Sequence, residues 1–106
     1  MYGPVRLSQI DLVVQTEAIG VYILSRDGRT AHYVGRSDAD LRARIRNSAQ
    51  ADGYTYFWFE YESSPLNAYR TECAWWHQYR PPNNVNHPAV PAGTNWRCPV
   101  PGCPWS

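Results

Sequence analysis

The sequence has no lysine. All ten basic residues are arginines, set against nine acidic ones for a formal charge of +1. A chain this close to neutral has no global field to draw in a polyanion, so charge alone selects no nucleic-acid partner. Arginine nonetheless brings a planar fork of donors suited to phosphate, and Arg36, Arg42, Arg44 and Arg46 crowd together with Asp38 and Asp40 among them. A long apolar run is also missing. Asp11 and Glu17 interrupt the one apolar stretch near the N-terminus, so neither an export signal nor a membrane span is expected. There are only three cysteines, an odd set that argues against a secreted disulfide framework. The expected setting is reducing and cytoplasmic.

What is present suffices for one domain. A chain of 106 residues can build one core but not two, and 43% apolar with 14% aromatic residues is too rich for a disordered chain. Residues 1–19 read as a lead-in, with Ser8 placed to cap a brief helix through Ile10, Leu12 and Val13. Residues 20–86 form the body, and residues 87–106 a tail rich in proline and cysteine that packs on it. In the body, Val21 to Leu24 and His32 to Val34 read as strands joined by an Asp27-Gly28 turn. Ser37 or Asp38 is placed to cap a helix over residues 39–49, with Leu41 and Ile45 facing inward. Tyr54 to Tyr61 reads as an aromatic third strand. Ser64-Pro65 opens a second helix and Pro81-Pro82 closes it. The order β-β-α-β-α predicts an α+β fold, a small three-stranded antiparallel sheet flanked by helices.

The second helix carries a misplaced charge. Its polar side holds Asn67, Arg70, Thr71 and Gln78, while Ala68, Tyr69, Cys73, Trp75 and Trp76 make an apolar arc with Glu72 in its middle. An unpaired buried carboxylate is costly, so Glu72 must pair with an arginine or hold a cation. Tyr22 and Tyr33 sit on the two hairpin strands. If Asp27-Gly28 is a two-residue turn, Tyr22 opposes Tyr33 directly and both hydroxyls share a face that the Glu72 helix could cover. Such a pair can be plain packing. With an arginine and a carboxylate beside it, it is also a parts list for hydrolysing a phosphodiester with one metal ion.

Gly20-Val21-Tyr22 followed by Tyr33-Val34-Gly35 resembles the two signatures of the GIY-YIG endonuclease family, with valine for isoleucine in the first. Asp40-Leu41-Arg42-Ala43-Arg44-Ile45 is similar to the segment carrying that family's catalytic arginine, which falls on Arg44. Glu72 matches its metal-binding glutamate, and Tyr79-Arg80-Pro81-Pro82-Asn83-Asn84 resembles the stretch beyond that helix, with the family's asparagine at Asn84. The resemblance covers residues 20–86 and implies an endonuclease acting on duplex or branched DNA. It implies Tyr33 as general base with Tyr22 beside it, Arg44 against the phosphorane, and one Mg²⁺ or Mn²⁺ on Glu72. The products implied carry 5′-phosphate and 3′-hydroxyl ends. Arg36, Arg42, Arg46, Ser48 and Asn84 are the implied nucleic-acid contacts. A free tyrosine, with a pKa near 10, is too weak an acid to serve as base at neutral pH, so the cation and Arg44 are expected to depress it. Ser48 stands where the family usually has histidine or tyrosine, and serine can bind phosphate but cannot transfer protons near neutrality. His32 should point away from Tyr33 and cannot replace it. A binding module of the same fold that cleaves weakly is the alternative reading.

In the tail, Cys98 and Cys103 bracket a Pro-Gly-rich loop in the manner of a zinc knuckle. Cys73 and His77, one turn apart on the second helix, could complete a structural zinc site, with His87 as substitute. The other readings are a Cys98–Cys103 disulfide, or a tail merely packed by Trp96 and Trp105 around a buried, inert Cys73.

Overall fold

The computed structural model describes residues 1–106, apart from the side chain of Ala51. Its strands are Tyr2–Arg6 (β1), Gly20–Ser25 (β2), Tyr33–Ser37 (β3) and Tyr56–Tyr61 (β4), and its helices Ile10–Val13 (α1), Leu41–Asp52 (α2) and Pro65–Tyr79 (α3). The fold is α+β with one antiparallel sheet in the order β1-β4-β2-β3. The sheet therefore has four strands, not the expected three. The lead-in supplies the extra one along the outer side of β4. Gly3 and Pro4 disguise it, since both are poor strand residues. An edge strand whose register breaks between Tyr2 and Val5 accommodates them.

The hairpin between β2 and β3 is longer than a two-residue turn. Asp27 Oδ1 accepts from the backbone N–H groups of Arg29 and Thr30, both at 2.8 Å, and Ser25 Oγ accepts from Gly28 N–H at 2.9 Å. This side-chain scaffold winds extra chain into the loop. The register becomes Tyr22 opposite Gly35 and Leu24 opposite Tyr33, so Tyr22 does not oppose Tyr33 as expected. Because the slip is by two residues, Tyr22, Tyr33 and Gly35 still share a face.

Caps follow the expected chemistry with one exchange of residue. Asp40, rather than Ser37 or Asp38, caps α2 by accepting from Ala43 N–H, while Ser37 Oγ accepts from the N–H groups of Ala39 and Asp40. Ser64 caps α3 through Asn67 N–H with Pro65 behind it. Ser8 caps nothing, since it lies in a 3-10 turn, Leu7–Gln9, that leads into α1.

The two long helices lie on opposite faces of the sheet. Leu41, Ile45 and Ala49 of α2 pack with Tyr22, Leu24, Phe57 and Phe59. Ala68 and Trp75 of α3 pack with Val21, Ile23 and Val34, the alternate residues of the same strands. Residues of β2 are buried on both sides, so α3 does not cover the tyrosine face as expected. The tail folds back on α3, where Cys98, Cys103, Trp96 and Val100 pack around Tyr69 and Cys73. Among the described residues, no helix is long and apolar enough to cross a membrane.

Candidate functional site

Both signature glycines are required by close approach. A Cβ at Gly20 would stand 2.5 Å from the Glu60 carbonyl oxygen and 2.6 Å from Leu41 Cδ2. A Cβ at Gly35 would stand 2.5 Å from the Tyr22 ring and hydroxyl. The Tyr22 ring thus lies flat across β3, over the one residue type with no side chain to displace it. Its hydroxyl shares a 2.7 Å hydrogen bond with Ser48 Oγ, and the Tyr33 ring lies 6.3 Å away, centroid to centroid.

Around these rings is a cavity of about 170 Å³ lined by Tyr22, Tyr33, Gly35, Arg36, Asp38, Arg44 and Glu72. It opens at β3, one of the two edge strands of the sheet. The tyrosines come from one face, Arg44 from α2 on that face, and Glu72 from α3 on the other. An edge is where side chains from two opposed helices can meet without crossing a sheet. Arg44 is exposed and, among the described residues, its side chain makes no hydrogen bond or ion pair.

Glu72 is only 9% exposed and meets Arg36 Nη1 through Oε1 at 2.8 Å. Arg36 also donates from Nε to Asp38 Oδ1 at 3.1 Å, and its guanidinium lies 5.3 Å from the centre of the Tyr69 ring. The sequence pattern offers Arg36 as a nucleic-acid contact and Asp38 as a helix cap. Here Arg36 neutralises Glu72 and Asp38 is a second carboxylate beside the cavity. Asp38 lies two positions after Arg36, just past the end of β3, and that i, i+2 spacing was the only signal for the pairing.

Burial governs the site's acidities. It pushes the Tyr22 phenol well above its ordinary pKa, with the Ser48 hydrogen bond opposing. It also raises Tyr33, helped by the Glu72 carboxylate and opposed by Arg44. Arg44 thus acts in the expected direction, but in the protein alone Tyr33 is a weaker acid than a free tyrosine. Burial raises Glu72 as well, against the pull of Arg36. For Arg36, burial disfavours the charge, yet the bond to Glu72 prevails and raises its pKa.

The other expected contacts lie elsewhere. Arg42 donates to the Val14 carbonyl at 2.7 Å and to the Asp11 carbonyl at 3.2 Å, and Arg46 forms an ion pair with the Asp11 carboxylate. Both brace α1 against α2 and neither lines the cavity. Asn84 is a backbone clamp: its Oδ1 accepts from Val34 N–H at 2.7 Å and its Nδ2 donates to the Val34 carbonyl at 3.0 Å. It extends the hydrogen bonding of the edge strand. His32 sits in the loop, where its Nδ1 accepts from Arg26 N–H, and is not among the cavity residues.

A second polar group joins the tail to α3. The ligand atoms of His77, His87, Cys98 and Cys103 all lie within 4.8 Å of one another, a set that could hold a metal ion such as zinc. The expected set had Cys73 in place of His87. Cys73 instead packs in the apolar cluster under Tyr69 and Cys98, where burial pushes its thiol pKa up to about 12. His87 takes the fourth place because the chain doubles back after Pro81-Pro82, held by Trp76 Nε1 donating to the Asn84 carbonyl at 3.0 Å. All three cysteines are free thiols, so the Cys98–Cys103 disulfide is absent.

No family model matches the chain, and no curated protein matches it either.

Proposed function

We propose that the protein is a metal-dependent endonuclease of the GIY-YIG type that hydrolyses phosphodiester bonds in DNA. One observation carries this reading: Tyr22, Tyr33, Arg44 and Glu72, drawn from four separate elements, converge on one polar cavity. Packing alone gives no reason to gather two phenols, a free guanidinium and a buried carboxylate at a sheet edge.

Each residue has a task that its surroundings suit. Tyr33, half-buried and facing the cavity, would accept a proton from the attacking water. Tyr22, fixed by Gly35 beneath it and by Ser48 at its hydroxyl, would orient that water and not itself ionise. Arg44, with no protein partner among the described residues, would bind the scissile phosphate and stabilise the charge that grows on its non-bridging oxygens. Glu72, with Asp38 nearby, would hold the divalent cation. The donors fit a hard ion: Oε2 of Glu72 makes no hydrogen bond among the described residues, and Mg²⁺ commonly takes one or two carboxylates with water and phosphate completing its shell. When bound, Mg²⁺ or Mn²⁺ would supply positive charge at the leaving 3′-oxygen.

The Arg36–Glu72 pair favours a second reading, a nucleic-acid-binding module in which an ion pair has replaced the cation. One experiment separates the two. Purified protein is incubated with supercoiled plasmid and with labelled branched oligonucleotides, in Mg²⁺, Mn²⁺ or EDTA, beside Glu72→Gln and Arg44→Ala. Metal-dependent nicking that both substitutions abolish supports the nuclease. Binding without cleavage in every lane supports the module.

A further inference from the structure

We infer that His77, His87, Cys98 and Cys103 form a structural zinc site that clasps the tail to α3. The site is distinct from the cavity at Glu72, and the inference does not depend on the cleavage reading. Convergence is the first observation, with all four ligand atoms within 4.8 Å of one another. A zinc ion with bonds of about 2.0–2.3 Å needs ligand atoms about 3.3–3.8 Å apart. Cys103 Sγ and His87 Nε2 already stand at 3.5 Å, and small side-chain rotations bring in the rest.

The second observation is an orphan. His77 Nε2 is buried and, among the described residues, has no hydrogen-bond partner. Leaving a buried ring nitrogen unpaired is costly, and a metal bond removes that cost. Third, the opposite ring nitrogen of His87 is already fixed. A carbonyl can only accept, so the 2.9 Å contact between His87 Nδ1 and the Pro88 oxygen places the proton on Nδ1. Nε2 is then the bare lone pair that faces Cys103, the arrangement in which a backbone carbonyl orients a metal-binding imidazole. Fourth, Trp105 N–H donates to Cys103 Sγ at 3.5 Å, and Cys98 N–H donates to the Trp105 carbonyl at 2.9 Å. The chain around Cys103 thus folds its amide onto the sulfur, as suits a thiolate ligand.

The ligand chemistry selects the ion. Two thiolates and two imidazoles in a buried setting suit zinc, and two thiolates cancel its charge so that the complex can be buried without a counter-ion. Four protein ligands leave no open position, so the ion is structural and not hydrolytic. Its position has a consequence for the cavity. His77 lies beyond Glu72 on the same helix, Trp96 of the clasped tail packs on Tyr69 at 5.9 Å, and Tyr69 in turn lies beneath Arg36, the partner of Glu72. The clasp therefore backs the wall that holds Glu72.

The test uses the full chain, untagged and purified without chelator. Its zinc is measured by elemental mass spectrometry, and the metal-free protein is titrated with Co²⁺ alone. We expect one zinc per chain and a Co²⁺ absorption spectrum of a tetrahedral thiolate site. Cys103→Ser and His87→Ala should lose the zinc, whereas Cys73→Ser and Glu72→Gln should keep it. A wild-type chain that retains no zinc and gives no thiolate spectrum with Co²⁺ overturns the site, whatever the folding of the variants. Zinc that leaves with Cys73→Ser but stays in His87→Ala overturns this ligand set. Because the readouts are stoichiometry and spectrum, failure here is distinguishable from failure of the nuclease reading.

Discussion

At Gly35 the fold and the candidate site meet in one missing methyl group. A side chain there would occupy the space of the Tyr22 ring. Overpacking a close contact of this kind costs about 1–3 kcal/mol. Gly35→Ala should therefore lower the thermal midpoint by several degrees and swing Tyr22 off Ser48. Loss of cleavage well beyond the loss of folded protein is the expected result, and an unchanged rate would detach Tyr22 from the chemistry. The phenols also set an alkaline limit. Burial is the largest cause that raises Tyr22, Tyr33 and Tyr69 above their unfolded pKa near 10. A group whose pKa is higher when folded contributes stability that is complete below the unfolded value and disappears as pH climbs toward the folded one. Urea midpoints should accordingly begin to fall above about pH 8.5, where the unfolded Cys73 thiol ionises, and fall more steeply beyond about pH 10, the steeper part less so in Tyr22→Phe. A midpoint that holds to pH 11 in both proteins would show that these phenols ionise as freely in the fold as outside it.

Across elements, the contact that matters most is Arg36 of β3 with Glu72 of α3, because it joins the edge strand to the helix behind it. Removing one partner of a buried pair leaves a stranded charge, at a cost of about 3–5 kcal/mol, and the opening of the cavity to water places this pair at the lower end. Arg36→Ala should destabilise the protein in EDTA by about 3 kcal/mol. Mg²⁺ should restore part of that loss, with a larger shift in thermal midpoint for Arg36→Ala than for the unaltered protein. If Mg²⁺ leaves both midpoints unmoved, Glu72 is an ion-pair residue only. Glu72 itself was legible in the sequence, since helical periodicity alone puts it among apolar neighbours. Its partner was not, because Arg36 comes from a strand and periodicity within one element says nothing about contacts between two. The hairpin failed for a related reason. Asp27-Gly28 reads as a tight turn, but the Asp27 carboxylate and Ser25 hydroxyl bind the loop's own amides and lengthen it. β1 was hidden by Gly3 and Pro4, and only the open edge of β4 explains why that segment is extended. Helices α2 and α3 were visible because caps and inward faces are written locally. That they lie on opposite faces was not, since the alternation of β2 is masked when both of its faces are buried.

Over the whole molecule, ten arginines stand against a net charge of +1, and half of them are already tied to other groups of the protein. Arg36 is tied to Glu72 and Asp38, and Arg42 and Arg46 to α1. Arg26 donates to the Asp52 carbonyl and lies over Tyr54, Arg6 lies over Tyr56, and Arg97 donates to the Ser106 carbonyl. Among the described residues, Arg6, Arg29, Arg44, Arg70 and Arg80 have no side-chain hydrogen bond or ion pair, and of these only Arg44 lines the cavity. Each phosphate neutralised by a protein cation contributes about 0.9 to the slope of log K against log salt on duplex DNA. A protein that engages DNA mainly through one cavity should therefore show a shallow slope, about 1–2 in magnitude, when binding is measured by fluorescence anisotropy from 50 to 300 mM salt. Arg44→Ala should weaken binding and lower that slope by about one, while Arg42→Ala should leave the slope unchanged and lower the thermal midpoint instead. A slope of four or more would mean that arginines outside the cavity, Arg29, Arg70 and Arg80 among them, also meet phosphates. DNA would then cover more of the surface than the cavity at the β3 edge.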